Sequence, residues 1–224
     1  MTLPPNIKTS PWDSAVFGVD AYEITDSSRE SLELAVRVPG HYTVRVDPLV
    51  SKQMLHEYGF YYCDTLIEPY CTAESFPGFD SVDAGISRDV SLDPLLAICH
   101  GAFSHGRFHR DFSLPTAQAD QRYDNWLAQL HGAGKVYGLL YQGKLGGFIA
   151  VDGNQLVLHA IAESLRGRGL AKLLWTPVCR MLFDQGCGEL VSSVSASNLA
   201  VVNLYATLGF RFRNPIDLYH RRTK

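Results

Sequence analysis

No run of apolar residues in this chain approaches the roughly 18 that a membrane-spanning helix needs, so nothing supports a membrane role. An excess of one charge is missing too: 20 Lys and Arg stand against 23 Asp and Glu, a formal net charge of −3. That balance excludes the basic surplus of a general nucleic-acid binder. The opening stretch MTLPPNIKTSPWDSAVFG lacks the basic-then-apolar layout of a secretory leader, so the expected setting is cytoplasmic. Cys63, Cys71, Cys99, Cys179 and Cys187 form no C-x-x-C pair and read as reduced packing thiols. His100, His105 and His109 are spaced five and four apart, which matches no zinc pattern, and no metal is expected. What the chain does have is apolar residues, 46% against 19% charged over 224 residues. Such a composition builds one large domain or two small ones.

Residues 71–91, CTAESFPGFDSVDAGISRDVS, are small, polar and without hydrophobic period. They divide the chain near Gly85 into residues 1–85 and 86–224. In the second part, apolar spacing predicts helices over 92–103, with Asp89 or Ser91 as N-cap, and over 117–131. Strands at 135–141, 145–151 and 155–162 are separated by Gln142-Gly143-Lys144 and Asp152-Gly153-Asn154, the turn chemistry of an antiparallel meander. A helix over 168–185, a strand at 189–195, a short helix at 199–208 and a final strand pair near 210–213 and 216–221 complete an α/β (α+β) order. The first part carries a fainter version of that ending: strand 41–46, helix 49–58, Gly59-Phe60, strand 61–67. Shifted by 150 residues it overlays the ending without gaps, Val44 on Val194, Gly59 on Gly209 and Phe60 on Phe210.

The chemistry is concentrated in LVLHAIAESLRGRGLAKLL, residues 156–174. A buried-type strand leads into Arg166-Gly167-Arg168-Gly169-Leu170-Ala171 at a helix start. Glycines let a ligand approach the backbone closely, and the free N–H groups of the first turn suit an anion such as a pyrophosphate. Arg166 and Arg168 add positive charge, although a solvated basic turn has the same composition. No Gly-Lys-Ser/Thr follows, and Lys172 occupies the sixth position of G-x-G-x-x-G, so neither common nucleotide loop fits.

The loop does fit R/Q-x-x-G-x-G/A, and Asn198 to Phe210 fits N-x₆-Y-x₃-G-F further on. In these two motifs the sequence resembles the GCN5-related N-acetyltransferase (GNAT) superfamily, from about Ser87 to the C-terminus. The resemblance implies a mixed-sheet acyl-CoA acyltransferase fold, here preceded by a degenerate half-GNAT unit, with acetyl-CoA as co-substrate. It implies that strands 155–162 and 189–195 splay, so that pantetheine pairs with the backbone of His159 and Ile161 and the Ile161 N–H polarises the thioester. Arg166, Gly167, Arg168, Gly169, Leu170 and Ala171 would then grip the pyrophosphate. Asn198 would contact the cofactor arm, a role compatible with capping the next helix. Tyr205 would be the general acid at the thioester sulfur, unless it is simply a core tyrosine on that helix. The general base stays open: His159, a strand position that packing alone also explains, or a water chain. Glu163 stands only in the loop beyond.

Two further segments, PWDSAVFGV from Pro11 and AFSHGRFHRD from Ala102 with Tyr123-Asp124-Asn125-Trp126, are similar to the dTDP-fucosamine acetyltransferase subgroup. That likeness implies transfer to the 4-amino group of a dTDP-4-amino-4,6-dideoxy sugar through a direct ternary complex. Arg107, Phe108 and Tyr123 would bind the nucleotide sugar; a surface salt bridge is the alternative role for Arg107. Trp12 and Phe17 are expected to pack in the first part. In the fainter copy Pro48 replaces Asn198 and Leu55 replaces Tyr205, so that copy is expected to be structural or acceptor-shaping. Exposed edges of a mixed sheet are compatible with a homodimer. The competing readings are a GNAT enzyme acting on another small amine, peptide or protein lysine, and a non-catalytic acyl-CoA-binding module. An open groove would mark a peptide acceptor, and CoA binding without turnover would mark the module.

Overall fold

The computed structural model describes residues 5–224; residues 1–4, where the segment read as leaderless begins, lie outside the described residues. The first part starts with strand β1 (Ile7–Thr9), helix α1 (Pro11–Phe17) and strand β2 (Ala21–Ile24). Pro11 opens α1, where its missing N–H costs nothing, and Gly18 closes it at φ 65°. Helix α2 (Arg29–Arg37) is capped by Ser28, whose hydroxyl accepts from Ser31 N. Strand β3 (Gly40–Val46), helix α3 (Gln53–Glu57) and strand β4 (Tyr61–Thr72) follow. The helix expected over 49–58 is shorter, because the Lys52 ammonium donates to the carbonyls of Asp47, Pro48 and Val50 and holds a turn there. Phe17 is buried, but against Phe108, Leu114 and Ala119 of the second part rather than within the first, whereas Trp12 is 58% exposed.

In the second part, strand β5 (Ala84–Ser87) contains Gly85 and pairs with β6 (Val136–Tyr141). Helices α4 (Leu92–Cys99), α5 (Arg107–Arg110) and α6 (Thr116–Gly132) precede the meander of β6, β7 (Lys144–Asp152) and β8 (Gln155–Ile161). Helix α7 (Ala171–Asp184), strands β9 (Glu189–Ser192) and β10 (Val194–Ser195), helix α8 (Leu199–Thr207) and strand β11 (Arg211–Thr223) end the chain. Helix α7 starts three residues later than expected, since Gly167 and Gly169 hold left-handed φ of 70° and 71°. The expected final strand pair is one strand, β11, whose register shifts between Arg213 and Ile216 around Asn214 at φ 51°.

All strands join one mixed sheet ordered β1-β2-β3-β11-β4-β9-β8-β7-β6-β5, with β10 beside β4. One apolar cluster packs α7 and α8 against β6 to β9 through Trp175, Leu174 and Val178. Another packs α4 and α6 on β7 and β8 through Leu95, Leu127 and Phe148. The centre of the sheet shows what the 150-residue similarity means. Strand β4 of the first part pairs with β9, its counterpart β11 pairs with β3, and the two long strands pair with each other. Leu66 and Ile216, which the 150-residue shift makes equivalent, are partners, and each long strand lies between the other and the shorter strand of the other part. Gly59 and Gly209 keep equivalent turns at φ 72° and 81°, each with a neighbour where a Cβ would sit.

A second tie lies beside it. Asp111, wholly buried after α5, accepts from His41 Nε2 at 2.8 Å, His220 Nδ1 at 2.7 Å and the Tyr61 hydroxyl at 2.8 Å. Strands β3, β4 and β11 are thereby fastened to the α5–α6 connection.

Candidate active site

Strands β8 and β9 run parallel only at Gln155–Val191 and Leu156–Ser192. Beyond that the register of β7 on β8 shifts, with Ala150 opposite Leu158 and Val151 opposite Leu156, so Val157 is an extra residue. Such a bulge bends a strand, and here β8 leaves β9, which continues as β10 against β4. Ala162 N donates to Gly146 O across the antiparallel ladder. By the alternation of that ladder, residues 160 and 158 also face β7, and the N–H and C=O of His159 and Ile161 face the opening. Apart from the Ile161 carbonyl, which the Arg166 side chain takes, this strand edge is unpaired along the cleft, an arrangement suited to an amide-rich ligand. The cleft has a volume of about 820 Å³, within the usual range for small-molecule sites.

At one end lie Gly167, Gly169, Leu170 and Ala171 on the cleft wall, followed by the first turn of α7. Arg166 donates from Nε to Ile161 O at 2.9 Å, which fixes the loop to the end of β8, while Arg168 projects outward. No side chain caps α7, so its leading N–H groups are available to an anion. Gly169→Ala would force an L-residue to φ 71°, a cost of about 1–2 kcal/mol. We expect CoA affinity to fall roughly tenfold by calorimetry, with the protein still folded.

Midway, the Tyr205 hydroxyl lies 2.8 Å from His159 Nε2. His159 lines the cleft; Tyr205 is fully buried behind it, between Phe210 and the imidazole. Burial pushes the His159 pKa down to about 4 and raises that of Tyr205, so both are neutral near pH 7. Trp175, edge-on to His159 with ring centroids 5.2 Å apart, also lines the cleft. Its Nε1 is buried without a hydrogen-bond partner among the described residues. Asn198 caps α8, accepting from Val201 N at 3.3 Å, and also borders the cleft. Both of its expected roles are therefore compatible.

The other end brings the two acceptor-type segments together. Asp13 of α1 accepts from Arg122 Nε at 2.9 Å, and Phe17 packs on Phe108 with ring centroids 5.3 Å apart. Phe108 is a core residue touching the cleft, only 4% exposed. Tyr123 stacks on Phe103 at 4.5 Å and faces the cleft. Arg107 lies over the Phe108 ring at 4.6 Å and lines the cleft. Among the described residues its guanidinium makes no hydrogen bond or ion pair, so the salt-bridge role does not apply. One residue was not foreseen: Asp64 of β4, 1% exposed, lines the same end. A lone aspartate in a strand carries no motif, and only the long-range pairing of β4 brings it here.

A parallel-strand splay, an uncapped helix start and a cleft joining them are thus brought together in one site. Residues 104–210 match the sequence profile of the Acetyltransferase (GNAT) family. Among solved structures, a GCN5-related N-acetyltransferase from Sphaerobacter thermophilus is similar with TM-score 0.64 at 12% identity, over 96% of this chain and 76% of that one. A functionally unknown conserved protein from Staphylococcus epidermidis gives TM-score 0.63 at 12% identity, over 100% and 94%. A tandem GNAT protein from the clavulanic acid biosynthesis pathway gives 0.56 at 12%, over 92% and 76%. No curated protein matches the sequence. The profile match spans residues 104–210, and the solved structures share the fold over 92% or more of this chain, a tandem GNAT protein among them.

Proposed function

We propose that this protein transfers acetyl from acetyl-CoA to the amine of a small acceptor, the 4-amino group of a dTDP-4-amino-4,6-dideoxy sugar. The observation that carries the reading is the continuity of the cleft. It runs from the Gly167–Gly169 loop, past the free edge of β8, to an end where Arg107 meets Tyr123 and Phe103. At the first end, Arg166, Gly167, Gly169, Leu170 and Ala171 would hold the pyrophosphate, with Arg168 adding charge from outside. The His159 and Ile161 backbone would hold pantetheine, and the Ile161 N–H would polarise the thioester carbonyl. At the other end, an unpaired guanidinium suits a diphosphate and the aromatic faces suit a base or sugar. Amine nitrogen attacks the thioester carbon directly in a ternary complex, and Tyr205, relayed by His159, protonates the departing sulfur. The described cysteines are free thiols, four of them buried, which suits a reducing cytoplasm and offers no acyl-enzyme nucleophile. In this reading, residues 1–85 are the degenerate unit and 86–224 the GNAT domain.

The test is thiol release from acetyl-CoA over a panel of acceptors. It holds dTDP-4-amino-4,6-dideoxygalactose, its gluco epimer, the UDP equivalents, a polyamine and a lysine peptide. Turnover confined to the dTDP sugars is expected, and turnover only with the polyamine or peptide would refute the acceptor. With the sugar nucleotide, Arg107→Ala should raise KM by about 10- to 100-fold, the scale of one charge-assisted hydrogen bond, and change kcat little.

A further inference from the structure

We propose that Asp64, supplied by the first part through strand β4, is the proton acceptor that turns the incoming ammonium into the attacking amine. The inference rests on the acetyl-transfer reading above. One carboxylate oxygen of Asp64 is fully engaged. Oδ1 accepts from the Ser195 hydroxyl at 2.7 Å, from Thr65 N at 2.9 Å and from Arg110 at 3.1 Å. The other, Oδ2, is buried and has no partner among the described residues. Such an orphan costs stability wherever it is not used, and this one belongs to a residue on the acceptor end of the cleft. With Oδ1 held by three donors, Oδ2 is the oxygen left to take a proton.

The surroundings suit that role. Ser195 lies on β10, just past the point where β9 parts from β8, so Asp64 is anchored to the same wall that borders the thioester path. The charged and titratable groups near it are Arg110 and Arg107 on α5, Tyr123 on α6 and, two strands along the same sheet row through Leu218, Arg45 on β3. Despite the arginines, burial dominates and raises the Asp64 pKa above its ordinary value, which narrows the gap to an ammonium.

The protons balance. The ammonium gives one proton to Asp64 and becomes an amine, and Asp64 later returns that proton to solvent. The C–N bond then forms and the C–S bond breaks with its electron pair on sulfur. The second amine proton equals the one the CoA thiolate takes up. This places a catalytic residue in the part of the chain that lacks counterparts of Asn198 and Tyr205.

Asp64→Asn tests the assignment, because an amide oxygen can still accept from Ser195, Thr65 and Arg110. Thermal stability, CoA affinity, and kcat/KM from pH 6 to 10 would be measured on wild type and variant, with acetyl-CoA and each amine of the panel. We expect unchanged CoA affinity and a 10²- to 10⁴-fold loss of kcat/KM at pH 7. The variant's rate should climb about tenfold per pH unit towards the amine's own pKa, closing the gap. A variant within threefold of wild type and with its pH profile overturns the proposal and leaves the acetyl-transfer reading intact. A loss that is equal at all pH values, or that follows lost CoA binding or stability, overturns it in favour of a positioning role. Absence of wild-type turnover with every amine overturns both.

Discussion

Tyr205→Phe should lower kcat at least about 10²-fold at saturating substrates, the scale of losing a positioned proton donor, while CoA affinity stays within twofold. The reason lies in the pair it forms. The phenol is fully buried, held protonated by that burial, and 2.8 Å from His159 Nε2. His159, with its pKa pushed down to about 4, is neutral near pH 7 and borders the cleft. Any proton from Tyr205 to the departing sulfur therefore passes by way of that imidazole. The two should act as a unit: His159→Ala lowers kcat by a similar factor, and the double variant loses hardly more than either single one. Neither group titrates between pH 6 and 9, so neither variant should add or remove a limb of the kcat profile there. Full kcat in Tyr205→Phe would make the tyrosine a core residue beside Phe210.

What could be read without the fold was whatever is encoded locally. The β6–β8 meander was legible because Gln142-Gly143 and Asp152-Gly153 are turn residues between apolar runs. The loop at Arg166 to Ala171 and the run from Asn198 to Phe210 were legible because their spacings are tied to one helix start and one helix turn. Even the 150-residue similarity was visible at Val44, Gly59 and Phe60. Its consequence was not, since the choice of β4 for β9 and of β11 for β3 is a long-range pairing that leaves no local pattern. Asp64 was hidden for that reason: its partners Ser195 and Arg110 are 131 and 46 residues away. Trp12 was misjudged because an aromatic in a short helix looks like core until the helix is docked. The missing first turn of α7 is a backbone effect of two glycines that serve both a helix end and a loop.

The crossed pairing also concentrates stability at one carboxylate, and Asp111→Ala should show it. Removing Asp111 leaves the Tyr61 hydroxyl, His41 Nε2 and His220 Nδ1 without their buried acceptor. Breaking one side of a buried charged network costs about 3–5 kcal/mol, which for a chain of this size is a fall in Tm of roughly 10 °C. The acid side follows from the same cluster. Burial alone would raise the Asp111 pKa, but hydrogen bonds from His220 and His41 together outweigh it and hold the carboxyl well below the ordinary range, while burial holds His220 down to about 4. Below its unfolded pKa near 6.5, the unfolded chain takes up a proton on His220 that the native protein refuses, so stability falls as pH drops from about 6.5 to 4. Below about 4 the Asp111 carboxylate loses its share in the same direction. His220→Asn keeps a donor towards Asp111 without a titrating ring, and should flatten the fall of Tm between pH 6.5 and 4. If Tm in Asp111→Ala drops by less than about 3 °C, the cluster is not the tie between the two parts. Because Asp111 follows directly on α5, which carries Arg107, milder loosening such as Tyr61→Phe should raise KM for the acceptor before it alters CoA affinity. The fastening of the two parts and the shaping of the acceptor end are then one structural feature, built around residues that the sequence scatters from 41 to 220.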